Sequence, residues 1–385
     1  MRIEPFRIRV PDAALADLRG RLARTRWPAP SPEGPWEGGA DLECLRRLIG
    51  YWADRFDWRA QEARLNRIPQ FLAEVDGAHI HFLHVRGAGP RPVPLVITHG
   101  WPGSVVEMLR LIPLLADPAS HGGDPADAFD VVVPSLPGFG FSTAPQETGV
   151  DPVRIAGLWE RLMVDGLGYH RFGAQGGDWG ASVATRLALT APERVIGIHL
   201  NYLPGSYRPW TGEGVRPLSP GETEFLDRCA QWGEAEGAYA HLQRTKPETA
   251  AFALTDSPAG LAAWIVEKLH GWSDGEGDVE RRLGRDDLLT NIMLYWITGT
   301  IGSSMRLYRQ AARVPLRLGP ADRVRVPTGM ALFPGESPAC PPREWVERGY
   351  KVTRWTPMPR GGHFAAWEEP ALLADDVRAF FRPLR

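Results

Sequence analysis

Lysine is nearly missing from this chain. Lysines and arginines together number 44 of 385 residues, yet the only lysines are Lys246, Lys268 and Lys351. The arginines are scattered along the whole sequence among 46 acidic residues, and the net charge is −2. Nothing in that balance would draw nucleic acid or an anionic membrane. Cysteine is scarce as well. Cys44, Cys229 and Cys340 are odd in number and far apart, which argues against a disulfide framework and against a zinc site. No apolar run approaches the roughly 18 residues that span a bilayer. The first residues, Met1-Arg2-Ile3-Glu4-Pro5, lack the apolar region of a secretion signal. There is no internal repeat and no low-complexity tail. The expectation is a soluble, cytoplasmic protein.

What is present is ordinary globular composition, 43% hydrophobic and 23% charged. The length suits one large α/β domain with an insertion, or two domains. Residues 1–90 open with an amphipathic helix starting at Pro11-Asp12 and carrying Leu15, Leu18 and Leu22, ended by Arg26-Trp27-Pro28. A Pro/Gly-rich loop over 29–39 leads to a second helix over 41–54. Strands over 71–75 and 79–85 meet at Asp76-Gly77, a hairpin signal. From 91 to 205, strands at 93–98, 129–134, 172–174 and 195–201 alternate with helices at 107–115, 152–166 and 181–189. That alternation implies a parallel sheet covered on both faces. The pattern then breaks. Residues 204–221 are rich in Pro, Gly and Ser, and 222–310 read as helix throughout, so 206–312 is an insertion. Strands at 327–333 and 352–356 and helices at 342–348 and 370–381 complete the core over 313–385.

The stretch that carries chemistry is Gly176-Gly177-Asp178-Trp179-Gly180. Small residues stand two before and two after a central reactive residue, between a strand and a helix. That is the pattern of a nucleophile elbow, a turn too sharp for bulky neighbours. Its apex is Asp178. A carboxylate attacking a carbonyl would give an anhydride, which reverts. It is better suited to displacement at saturated carbon, giving an alkyl ester on the protein. Substrates then need a leaving group on sp³ carbon, such as a strained epoxide oxygen or a halide. The plainer alternative is that Asp178 merely caps the next helix.

An elbow needs a histidine and an acid placed after later strands, in that family of folds in the order nucleophile, acid, histidine. His363, in the glycine loop Arg360-Gly361-Gly362-His363-Phe364 after the last strand, fits that position. An imidazole can deprotonate water near neutral pH. Glu336, in Phe333-Pro334-Gly335-Glu336, is the natural acid, with Asp322 in reserve. Glu368 and Glu369 open the last helix, where acids favour the dipole. His79, His81 and His84 alternate on a strand and read as structural or exposed. His99 belongs to a loop whose backbone matters more than its ring. The N–H groups of Trp101, in His99-Gly100-Trp101-Pro102, and of Trp179 are placed to form an oxyanion hole. A leaving alkoxide needs a proton donor, and tyrosine suits. The insertion offers Tyr239, Tyr295 and Tyr308, among which spacing does not choose. Trp210, Trp264, Trp272 and Trp296 point to an apolar pocket under the insertion.

Over nearly its whole length the sequence resembles the microsomal-type epoxide hydrolases, which include juvenile hormone epoxide hydrolases. The resemblance lies in Pro5-Phe6-Arg7-Ile8 through Arg26-Trp27-Pro28, in His99-Gly100-Trp101-Pro102-Gly103-Ser104, in Gly176 to Gly180, in Phe333-Pro334-x-Glu336 and in Gly361-Gly362-His363-Phe364. The segments around Tyr239 (Tyr239 to Pro247) and Tyr308 (Ser303 to Tyr308) resemble those that carry the family's two ring-opening tyrosines. The resemblance therefore promotes Tyr239 and Tyr308 and leaves Tyr295 as packing. It implies an α/β-hydrolase fold with a helical cap and an N-terminal segment that wraps the core and contacts the cap. It also implies an apolar epoxide and water as reactants, with no metal or organic cofactor. Membrane-bound members begin with a hydrophobic anchor that this N-terminus lacks, so an endoplasmic-reticulum location does not transfer. The rival activity is haloalkane dehalogenation, which also uses an Asp and an indole after it but has no use for two cap tyrosines. A member of the fold that binds ligands without catalysis is the rival from another class. A homodimer is the base-rate assembly.

Overall fold

The computed structural model describes Met1–Arg385 apart from Pro145, Gly275, Glu276, Gly277 and Ala339. Among the described residues, nine strands form one sheet: β1 (Ile3–Pro5), β2 (Gln70–Val75), β3 (Ala78–Val85), β4 (Val93–Thr98), β5 (Phe129–Pro134), β6 (Phe172–Gly176), β7 (Val195–Leu200), β8 (Val324–Leu332) and β9 (Tyr350–Pro357). The central strands β5 and β6 are buried at every residue, as strands with no polar face must be when helices cover both sides. The order across the sheet is β1-β2-β3-β5-β4-β6-β7-β8-β9. Pairs from β1 to β5 through β2 and β3 are antiparallel, and all those from β5 to β9 are parallel. Strand order reverses at β4, whose neighbours are β5 and β6. Loops leaving the carboxyl ends of β4 and β6 therefore open onto one crevice, the usual place for a site in such sheets.

The hairpin of β2 and β3 turns at Asp76 and Gly77, both with positive φ (51° and 78°), the conformation a two-residue turn of that hand requires. Helix Asp12–Ala23 buries Leu15, Leu18 and Leu22, and helix Leu42–Asp54 is capped by Asp41, whose side chain accepts from Cys44 N–H. These N-terminal elements reach the helical insertion through polar contacts. Arg21 pairs with Asp256 at 2.7 Å, Tyr51 donates to Asp286 at 2.8 Å, and Arg64 pairs with Asp287.

Between β7 and β8 the described residues form helices Pro220–Glu236, Ala238–Thr245, Pro247–Asp256, Pro258–Trp272, Val279–Leu283, Arg285–Thr298 and Ile301–Ala311, with no strand among them. The chain leaves and returns at one point. Arg208 N–H donates to Leu316 O at 2.9 Å and Leu318 N–H donates to Arg208 O at 2.9 Å.

Several elements differ from the sequence reading. Edge strand β1 and helix Trp58–Leu65 were not anticipated. The first is three residues ending in proline, and the second, WRAQEARL, is largely polar. The helix expected over 107–115 is split into a 3-10 turn at Val105–Met108 and a helix at Leu111–Ala116. Pro113 has no N–H to donate and crowds the preceding turn, so it is tolerated only near a helix start. Helix Pro152–Arg161 passes into a π-turn at Leu162–Gly166, and β8 begins three residues early, at buried Val324.

Candidate active site

β6 ends at Gly176 and the next helix begins at Asp178, so the chain reverses over Gly177 alone. Asp178 takes a φ of +43°, a strained value for a residue with a side chain. The flanking glycines are obligatory for packing. A Cβ on Gly176 would lie 2.4 Å from the carbonyl carbon of Gly180, and one on Gly180 would lie 2.0 Å from Thr98 O at the end of β4. The Asp178 carboxylate sits at a helix N-terminus, where the dipole favours negative charge. Its Oδ1 accepts from the Trp101 backbone N–H at 2.7 Å. Oδ2 faces the imidazole of His363, 3.5 Å from Nε2.

The acid is reached at the end of β8. Glu336 Oε1 accepts from His363 Nδ1 at 2.7 Å and from Ser337 N–H at 2.8 Å. Asp322 is exposed at the opposite end of β8 and accepts from Gly319 N–H at 2.8 Å, so it closes a turn there. The loop of His363 is pinned through its backbone. His363 N–H donates to Trp272 O at 2.9 Å, Gly335 N–H to Gly361 O at 2.9 Å, and Phe364 N–H to Glu368 Oε1 at 3.0 Å. Burial by itself pushes the His363 imidazole down, but the Glu336 and Asp178 carboxylates on its two sides outweigh it and raise it well above the usual histidine value.

Tyr239, in helix Ala238–Thr245, lies parallel to the Trp101 indole at 5.5 Å. Tyr308, in helix Ile301–Ala311, meets Trp179 edge-on at 4.8 Å and Tyr239 at 6.0 Å. Burial and then the Asp178 charge raise the Tyr239 phenol, and burial, Tyr239 and Asp178 raise that of Tyr308. Both are neutral donors near pH 7. Tyr295 points elsewhere, donating to Gly103 O at 2.6 Å from beneath the loop after β4. His99 is likewise occupied. Its Nδ1 bonds Gly100 O at 2.9 Å, its Nε2 accepts from Leu136 N–H at 3.2 Å, and burial lowers it to about 4. His81 is held between Ser135 and Gln70, both at 2.9 Å, and burial lowers it to about 3.

Asp178, Trp179, Tyr239, Tyr308 and Glu336 all line a cavity of about 780 Å³ between the sheet edge and the helical insertion. Its walls can hold an organic molecule of moderate size against a carboxylate on one side and two phenols on the other.

The family model described as "Epoxide hydrolase N terminus" matches residues 3–108, and that of the "alpha/beta hydrolase fold" matches 93–251. A protein of Stigmatella aurantiaca is 47% identical over 387 residues, covering 100% of this chain and 86% of its own length. Epoxide hydrolase 1 of Sus scrofa is 39% identical, covering 98% of this chain and 88% of that protein. This chain belongs to the epoxide hydrolase family. Among solved structures, Aspergillus niger epoxide hydrolase superposes with a TM-score of 0.85 at 31% identity, covering 100% of this chain and 97% of that one. Juvenile hormone epoxide hydrolase from the silkworm Bombyx mori does so with a TM-score of 0.83 at 31% identity, covering 100% and 94%.

The aromatic wall of this family member differs from the one the sequence suggested. Trp210 is exposed, Trp264 donates to Gln243 at 3.3 Å, and Trp296 lies under Arg21 at 5.8 Å. Of the four, Trp272 reaches the site, packing on Tyr239 at 5.1 Å and His363 at 5.2 Å. The indoles lining the cavity are Trp179, Trp232 and Trp345. Tyr202, edge-on to His363 at 5.3 Å, and the buried pair Gln175 and Asn201 went unnoticed in the sequence. Their signal is position. Each lies at or just past the carboxyl end of β6 or β7, where a parallel sheet has no structural need for polar side chains.

Proposed function

We propose that this chain opens apolar epoxides to vicinal diols through an ester on Asp178, and that the two phenols of Tyr239 and Tyr308 donate to the ring oxygen. Trp101 N–H occupies Oδ1, so Oδ2 is the oxygen free to attack a ring carbon. As that C–O bond breaks, a tyrosine proton passes to the departing oxygen. The carbonyl of the resulting ester keeps Oδ1 on the Trp101 N–H. The Trp179 N–H, among the free donors of the first helical turn, completes the oxyanion hole. Water, deprotonated by His363 with Glu336 behind it, attacks Cγ. The Cγ–Oδ2 bond then breaks, the diol leaves with that oxygen and a proton from His363, and the oxygen of water remains in Asp178.

The observation that carries this reading is the pairing of a carboxylate nucleophile, 3.5 Å from His363, with two partly buried phenols in one cavity. A serine esterase would need neither feature, and a dehalogenase would not need the phenols. A cytoplasmic location belongs to the same reading, supported by three unpaired cysteines, and a homodimer is its simplest assembly.

Intact mass during a single turnover with styrene oxide tests it. His363→Ala should hold an adduct of one substrate mass on the peptide containing Asp178, while wild type releases diol. Halide release from haloalkanes, with no epoxide turned over and no adduct from several aliphatic and aromatic epoxides, would overturn it.

A further inference from the structure

A second cavity shares Asp178 with the first and is much smaller, about 10 Å³, on the scale of a single water molecule. Its walls include Glu107, Gln175, Asp178 and His363. Three buried polar atoms on these side chains have no partner within the protein: Glu107 Oε1, Gln175 Oε1 and His363 Nε2. Each such atom is costly to bury alone, and three around one small space point to one shared occupant.

The surroundings fix how each atom is presented. Gln175 Nε2 donates to Asn201 Oδ1 at 2.9 Å, which turns its amide oxygen inward as a pure acceptor. Glu107 reaches in from the turn Val105–Met108, over the space left by Gly103. A Cβ at that glycine would fall 1.3 Å from Glu107 Oε1. Burial, opposed by His363 and helped by Asp178, pushes the Glu107 carboxyl up to about 8. It is therefore mostly protonated at pH 7 and carries an O–H.

We propose that this cavity seats the hydrolytic water and that Glu107 is a residue that holds it. In the ester, where His363 is the neutral base, the water donates to His363 Nε2 and to Gln175 Oε1 and accepts from the Glu107 carboxyl. Its remaining lone pair is left for Cγ of Asp178. That uses both hydrogens and both lone pairs of one water and partners all three atoms. In the step itself the O–H bond toward His363 breaks, the O–Cγ bond forms, and the carbonyl electron pair moves onto Oδ1. The inference rests on the ester mechanism proposed above and concerns its second half alone.

The test separates the two halves by rapid quench and intact mass, with styrene oxide as the probe. Glu107→Leu should form the adduct within about threefold of the wild-type rate and lose it about 30-fold more slowly. Glu107→Gln, whose amide can still donate, should recover adduct decay to within about fivefold of wild type. Gly103→Ala, which displaces the carboxyl without removing it, should also slow decay, and it carries the test if Glu107→Leu fails to fold. Wild-type decay of the adduct in Glu107→Leu, or in Gly103→Ala if Glu107→Leu does not fold, would overturn the water site. Failure of wild type to form any adduct would instead sink the ester mechanism.

Discussion

Replacing Glu222 by glutamine should loosen the helical insertion from the sheet. Glu222 lies in the first turn of helix Pro220–Glu236 with its side chain fully buried. It accepts from Arg348 Nε at 2.6 Å and Nη2 at 2.9 Å, and from Arg216 at 2.8 and 3.0 Å. Arg348 stands just before β9, so this cluster ties the insertion to the core. Burial opposes the carboxylate, but Arg348 and Arg216 prevail and hold its pKa at about 2, against 4.5 for an ordinary glutamate. At 1.36 kcal/mol per unit, that difference amounts to about 3 kcal/mol. Because the folded value is the depressed one, the contribution is full above pH 4.5 and is lost as pH falls toward 2. Glu222→Gln leaves Arg348, with a side chain 6% exposed, facing a neutral amide, which is destabilising by a similar amount. For 385 residues the melting entropy is about 0.8 kcal/mol/K, so Tm should drop by about 4 °C at pH 7. Scanning calorimetry from pH 7 down to 2.5 should show the gap between variant and wild type closing. The same helix brings Phe225, Leu226, Cys229 and Trp232 to the cavity wall, so KM should rise while adduct decay is unchanged. A Tm within 1 °C of wild type at pH 7, or a gap independent of pH, would refute the reasoning.

The remaining predictions concern the chemistry and the elbow. Tyr239→Phe and Tyr308→Phe should each slow adduct formation by about 10²-fold, the usual effect of removing one donor to a developing oxyanion, and leave adduct decay unchanged. Quenched-flow mass measurements decide it, and a slowed decay with normal formation would assign the phenols to the wrong half-reaction. Gly180→Ala would put a Cβ 2.0 Å from Thr98 O, so the elbow cannot keep its geometry. A loss of about 1–3 kcal/mol in stability is expected, together with loss of adduct formation. Normal values for both would show that the turn tolerates a side chain there.

The parts of this molecule that the sequence made legible are those where sterics restrict the choice of residue. Gly176 and Gly180 face atoms at 2.4 and 2.0 Å, so no other residues fit there, and that constraint is visible as a pattern. Glu336 and His363 could be singled out as candidates because each follows a strand at the carboxyl end of the sheet, and the structure brings them 2.7 Å apart. Choosing Tyr239 and Tyr308 over Tyr295 needed the family resemblance, since all three lie on helices of the insertion and spacing alone does not separate them. The tryptophans were misplaced for a related reason. Composition reports that an indole is present but not which face of its helix it occupies, and Trp296 turned out to lie under Arg21 on the N-terminal segment. Glu107 and Gln175 were illegible because nothing local distinguishes them. Glu107 reads as an acid favouring a helix start, and its interest arises only when Gly103, four positions earlier, leaves room for its carboxyl.

His363 faces opposite demands in the proposed cycle. Between two carboxylates its pKa is raised well above the usual histidine value, which favours the protonated form, and a protonated imidazole cannot take a proton from water. Ester formation resolves the conflict. It turns Asp178, 3.5 Å from Nε2, from an anion into a neutral group, while burial and Glu336 stay as they were. One of the two charges that held the proton is gone, and the proton can move to the phenolate left by ring opening. That restores the tyrosine and leaves His363 a base only once there is an ester to hydrolyse. Water attack then re-protonates it, the leaving diol takes that proton, and the carboxyl group left on Asp178 gives its own proton back to His363. The resting charges return without any external acid or base, and the cycle closes. The timing needs no moving part, because the nucleophile's own charge sets the protonation state of the base beside it.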